Sequence, residues 1–100
     1  MIYITQLIYL KPGREKIFHQ FEDQALPALT RYRGSLLLRI RPGAGEVIAA
    51  GIPPPYEVHF LKFETEQDFK NFMNDEGRKQ FLHLKEASVQ SVLLVQGMAL

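Results

Sequence analysis

The chain has 100 residues, a formal net charge of +1 and no cysteine. That length makes one domain, spanning residues 1–100, with a core but little margin. The near-cancelled charge leaves no basic field for nucleic acid or acidic lipid. Without cysteine there are no disulfides, thiolate nucleophiles or thiolate ligands. No stretch approaches the roughly 20 apolar residues that span a bilayer, and the first residues lack a basic region followed by a long apolar run. A soluble, cytoplasmic protein with no membrane partner is the expectation.

Ile2 to Leu10 is β-branched and aromatic and reads as a strand. Lys11-Pro12-Gly13 ends it with turn chemistry. From Arg14 the period changes, and Ile17, Phe18, Phe21, Ala25, Ala28, Leu29 and Tyr32 fall on one stripe of an amphipathic helix. Pro27 lies inside that stripe and predicts a kink or break, and Gly34 is the expected C-terminal cap. Leu36 to Arg41 is the second strand, Pro42 to Gly45 a turn, and Glu46 to Ala50 weakly strand-like. Three consecutive prolines make Gly51 to Pro55 irregular. Tyr56 to Phe63 is the third strand, and Thr65 with Asp68 forms a variant capping box. Phe69, Phe72 and Met73 define one helical stripe, whereas Phe81, Leu82 and Leu84 define another. Asn74 to Gly77 therefore marks a break between short helices. Ser88 to Gln96 is the last strand. The order β-α-β-β-α-β gives an α+β, ferredoxin-like fold with a four-stranded antiparallel sheet.

Strict alternation divides the strands into two faces. Ile2, Ile4, Ile8, Leu10, Leu36, Leu38, Ile40, Val89, Leu93 and Val95 are expected beneath the helices. Tyr3, Thr5, Leu7, Tyr9, Leu37, Arg39, Arg41, Gln90, Val92, Leu94 and Gln96 are expected on the other side. An open sheet face this rich in Tyr, Leu and Val calls for a partner. A twofold homodimer is expected, with Tyr3, Leu7, Leu37, Arg39, Val92 and Leu94 in its interface. The third strand fits neither register securely, because Val58, Phe60 and Lys62 oppose His59, Leu61 and Phe63.

Lys11-Pro12-Gly13, the segment Phe21 to Leu29 and Tyr32-Arg33-Gly34 resemble the dimeric α+β barrel superfamily. Tyr56 to Thr65, followed by Asp68-Phe69 and Phe72-Met73, resembles its second half. The resemblance, to antibiotic-biosynthesis-monooxygenase-like families and related families of unknown function, implies two sheets packed face to face across a dimer. It also implies a cavity between sheet and helices. The superfamily holds cofactor-free monooxygenases, isomerases and haem-degrading enzymes, so the fold does not choose a reaction. Its haem-degrading members use a Trp and an Asn, and this chain has no Trp.

A cavity holding a small apolar or aromatic molecule would be walled by Ile8, Phe18, Phe21 and Phe72, with Tyr32, Arg39 or His59 as polar contacts. His19 and His83 lie off the apolar stripes and are expected in solvent. His19 with Glu22 and His83 with Glu86 are i, i+3 pairs, each too small a set for a metal, and no metal site is expected. His59 has apolar neighbours and is either a satisfied interior histidine or a general base. Arg39 and Arg41 share a face and suit either a carboxylate partner or an anionic substrate. No phosphate loop, Ser-His-Asp arrangement or nucleotide fingerprint is present, so no cofactor is expected.

Two or more polar groups converging in the cavity would favour a cofactor-free monooxygenase or isomerase. A purely hydrocarbon cavity would favour a non-catalytic ligand- or lipid-binding protein, or a structural dimer. Ile2 to Leu7 also approaches the first-strand signature of an RNA-recognition motif. The third strand lacks its glycine and same-face aromatics, and with the neutral charge this argues against nucleic acid.

Overall fold

The computed structural model describes residues 1–100. Strand β1 (Ile2–Leu10) leads through Lys11-Pro12-Gly13 into helix α1 (Glu15–Ala25). The helix tightens at once into a 3-10 segment, Leu26–Tyr32, whose first turn contains Pro27. Proline removes one backbone donor and crowds the carbonyl four residues back, so the α-helical ladder stops there. Strands β2 (Gly34–Ile40) and β3 (Glu57–Phe63) follow, then three short helices: α2 (Glu66–Met73), α3 (Glu76–Lys79) and α4 (Leu82–Ser88). Strand β4 (Val89–Gly97) closes the sheet in the order β2-β3-β1-β4, with every neighbouring pair antiparallel. This is the ferredoxin-like arrangement, with its second helical region broken around residues 74–77.

Thr65 and Asp68 cap α2 reciprocally: the Thr65 hydroxyl accepts from the Asp68 N–H, and the Asp68 carboxylate accepts from the Thr65 N–H. Asp75 caps α3 through the Arg78 N–H at 2.7 Å. The chain from Ala44 to Glu46 is a single 3-10 turn, and no ladder forms over 46–50.

The left-handed residue that ends the first helical segment is Arg33, at φ 55°, and not Gly34. Asp68 holds its guanidinium at 2.7 Å, which offsets part of the cost of that conformation. Gly34 serves packing instead. A Cβ there would lie 2.7 Å from Phe63 Cε1 and 3.1 Å from the Leu29 carbonyl oxygen. Gly34→Ala is expected to cost about 1–3 kcal/mol through that overlap, read as a lower urea midpoint with an unchanged slope.

Ile4, Ala28, Leu29, Leu61, Phe63 and Phe72 form the core where the 3-10 segment and α2 lie on the sheet. The register of β3 is settled by burial: Glu57, His59, Leu61 and Phe63 face the helices, and Val58, Phe60 and Lys62 face away.

Both edge strands depart from strict alternation. In β2 the pairing moves from Leu36–Leu61 to Leu38–Phe60, leaving Leu37 as an extra residue. Leu38 and Ile40 consequently lie on the open face, and Arg39 and Arg41 turn to the helix side. In β4 the pairing moves from Val89–Leu10 to Ser91–Tyr9, leaving Gln90 extra. Val92 and Leu94 therefore face the helices, and Leu93 and Val95 face away. The expected placements of Leu38, Ile40, Leu93 and Val95 beneath the helices are corrected. So are those of Arg39, Arg41, Val92, Leu94 and Gln96 on the opposite face, each by one bulge.

Candidate functional site

Between α1, the broken second helical region and the sheet lies a cavity of about 140 Å³. Ile8, Phe18, Phe21, Leu29, Leu61, Phe72 and Val92 supply apolar wall, and Glu22, His59, Arg78 and Lys85 supply the ionisable groups. Of the ligand residues expected from sequence, Ile8, Phe18, Phe21 and Phe72 line this space. Tyr32 does not, because its hydroxyl donates to Asp75. Arg39 is also absent from the lining and is joined to Glu57 behind it.

Glu57 is fully buried, and both of its oxygens are occupied. Arg39 Nε donates to one at 3.0 Å and Arg41 Nε to the other at 2.7 Å. His59, only 2% exposed, makes a short hydrogen bond through Nε2 to the oxygen that Arg39 also holds. Burial opposes ionisation, but the hydrogen bonds from His59, Arg39 and Arg41 outweigh it and hold the carboxyl at about 2. An ionised carboxylate only accepts, so Nε2 of His59 carries the hydrogen of that bond. A neutral ring is therefore basic at Nδ1.

Glu22 has the opposite environment. It projects from α1 on the same stripe as Phe18, Phe21 and Ala25, is 5% exposed, and lies 4.0 Å from His59 Nε2. Burial raises its pKa above the ordinary carboxylate value, partly offset by attraction to His59, while repulsion from Glu57 adds to the rise. The two carboxylates beside one imidazole are thus driven apart: Glu57 stays ionised, and Glu22 is the one poised to exchange a proton. Carboxylates driven apart in this way are a feature that acid–base sites share with buried ion-pair networks.

One ligand atom from each of Glu22, Glu57 and His59 falls within a 4.8 Å cluster. A cation fits poorly there, because the Glu57 oxygens already accept from two guanidinium groups whose charge would repel it.

His19 is not in solvent as expected. It is partly buried, and its Nε2 is 2.7 Å from the Tyr56 hydroxyl, beside Phe18. Its position one residue after Phe18 turns it to the margin of the helix, where Tyr56 reaches it. His83 is exposed.

The sequence reading missed Glu22 and Glu57 as site residues. Their signals were positional: Glu22 follows Phe18 by four residues on the buried stripe, and Glu57 precedes His59 by two on the buried side of β3.

The fold and site define a small ferredoxin-like protein whose cavity borders a buried cluster of two carboxylates and an imidazole. No protein-family model matches the sequence, and no curated protein matches it. Solved structures share the fold at low identity. A protein of unknown function from Rhodopseudomonas palustris superposes with a TM-score of 0.82 at 14% identity, covering 99% of this chain and 82% of its own. An uncharacterised NIPSNAP domain protein from Burkholderia xenovorans gives 0.72 at 10% identity, covering 100% and 95%. A protein from Arabidopsis thaliana gives 0.73 at 16% identity, covering 100% and 96%. These likenesses establish the α+β ferredoxin-like architecture.

Proposed function

We propose that this protein is a cofactor-free enzyme of the monooxygenase or isomerase kind, acting on a small aromatic or apolar molecule held in the 140 Å³ cavity. The observation that carries the reading is the convergence of Glu22 and His59 on a largely apolar space. A hydrocarbon cavity would suit a passive binder, whereas two buried ionisable groups are costly to keep without chemical use. The step common to both reaction types is removal of a proton from an activated carbon. Glu22 and His59 form the acid–base pair that receives it, and ionised Glu57 with Arg39 and Arg41 fixes the imidazole. The resulting carbanion is reprotonated at another carbon in an isomerase, or reacts with molecular oxygen in a monooxygenase.

The same reading includes a homodimer. Leu38, Ile40, Leu93 and Val95 are each 43–53% exposed on the face the helices leave open, and Tyr3 stacks on Phe60 there at 5.6 Å. Contiguous apolar surface of this kind supports self-association.

Deuterium incorporation into phenylacetone, a single-ring carbon acid, tests the chemistry. Wild-type protein should accelerate the exchange, and Glu22→Gln and His59→Gln should each lower the rate about 100-fold. Glu22→Gln should also be more stable than wild type at pH 8, because the glutamine avoids burying a charge. The sign follows from the raised folded pKa: Glu22 weakens the fold as pH rises through that value. Binding of phenylacetone without exchange would identify a non-catalytic binder, and absence of binding would exclude neutral single-ring ketones as ligands of the cavity.

A further inference from the structure

The cavity carries a second set of ionisable groups, both cationic, delivered by the break in the second helical region. Arg78 belongs to α3 and is 8% exposed. Its guanidinium packs over the rings of Phe72, at 5.4 Å, and Phe21, at 5.8 Å. Its Nε is buried with no hydrogen-bond partner, and Nη1 has a long 3.5 Å contact with the Met73 carbonyl. Lys85, from α4, lines the same space.

An arginine packed against two aromatic rings is held by cation–π attraction, which leaves its N–H groups as the usable surface. A buried N–H without an acceptor is a costly state that native proteins keep where something else supplies the acceptor. Glu22, which attracts both cations, does not come within ion-pairing distance of either. Glu57 is already committed to Arg39 and Arg41. Asp75 also attracts Arg78, but its carboxylate is paired with Arg31, so neither cation of the cavity has a carboxylate at ion-pairing distance.

We infer that the molecule received by this cavity is a small organic monoanion, a single-ring carboxylate whose oxygens accept from Arg78 Nε and Lys85 Nζ while its ring lies among Phe18, Phe21 and Phe72. The inference rests on the proposed ligand-binding role of the cavity and adds the charge of the ligand. An apolar cavity of about 150 Å³ holds benzene, so a space of about 140 Å³ suits one ring. A carboxylate accepts from a guanidinium edge through paired N–H···O bonds and adds less bulk to a single ring than a phosphate does. The arrangement also separates tasks: Arg78 and Lys85 anchor the anion, and Glu22 and His59 meet the carbon that loses its proton. Burial and the neighbouring Arg78 charge lower the Lys85 pKa, and an anion between the two would relieve that repulsion.

Binding of benzoate and of the neutral single-ring analogue benzyl alcohol to the 100-residue protein, by isothermal titration calorimetry at pH 7, decides the matter. Benzoate should bind about tenfold more tightly than benzyl alcohol, and Arg78→Met and Lys85→Met should each abolish that preference. Lys85→Met covers the case in which loss of the Arg78 stacking impairs folding. Equal binding of the two probes, or a preference that survives Lys85→Met, would overturn the anion assignment and leave the cavity reading intact. If neither probe binds, both readings fall together.

Discussion

Replacement of Glu57 by Gln should destabilise the protein by about 3 kcal/mol, the lower end of what breaking a buried ion pair costs. Arg39 and Arg41 would lose the negative charge on which both guanidiniums converge, and the amide NH2 would face a donor where a carboxylate oxygen now accepts. The cost stays at the lower end because Arg41 is nearly half exposed and can turn to water. For a domain of this size the loss corresponds to about 15 °C in Tm, measurable by calorimetry. A pH signature accompanies it. The carboxyl ionises at about 2 in the folded chain against 4.5 for an ordinary glutamate. A depressed folded pKa stabilises fully above pH 4.5, and that contribution disappears as pH falls towards 2. By linkage it amounts to at most about 3 kcal/mol. Urea midpoints taken from pH 6 down to pH 2.5 should show this loss in wild type and lack it in Glu57→Gln. A variant as stable as wild type at pH 6 would mean that the cluster contributes nothing to the fold.

Leu7→Asp should convert the protein from dimer to monomer, weakening association on the order of 100-fold, as expected for an unpaired charge in an apolar contact. Leu7 occupies the middle of the open face, flanked by Val58 on β3 and Leu93 on β4. Sedimentation equilibrium at micromolar concentration reads the change directly, with circular dichroism confirming that the sheet persists. Wild-type protein sedimenting as a clean monomer would end the dimer proposal, and an unchanged dimer in Leu7→Asp would place the interface elsewhere.

The element order, the Thr65–Asp68 capping box and the break at 74–77 were legible because they depend on local chemistry: turn residues, caps and a change of apolar phase. The four phenylalanine and isoleucine walls of the cavity were legible because apolar stripes report burial. The faces of β2 and β4 were not, since Leu37 and Gln90 look like ordinary members of alternating runs. A bulge is chosen by the neighbouring strand and by what each alternative would bury. The ionisable core escaped for a related reason. Glu22 and Glu57 violate the rule that carboxylates seek water, and the groups that tolerate them are brought close only by the fold. Arg39 and Arg41 could be read as an anion-pairing couple, but their acceptor, sixteen to eighteen residues downstream, could not be read from spacing.

The extra residue at Leu37 divides β2 into two segments whose side-chain phases are set independently. Leu36 takes its phase from Leu61, and Arg39 takes its phase from His59. The slack between them means that β2 can change length by one residue at position 37 without reversing either half. A deletion at Arg39 would send Ile40 toward the buried carboxylate and cast Arg41 outward. Tolerance to insertion and deletion is therefore uneven along a strand only seven residues long. In a lineage where such events accumulate, the arginine pair can persist beside Glu57 while the segment before it drifts in length.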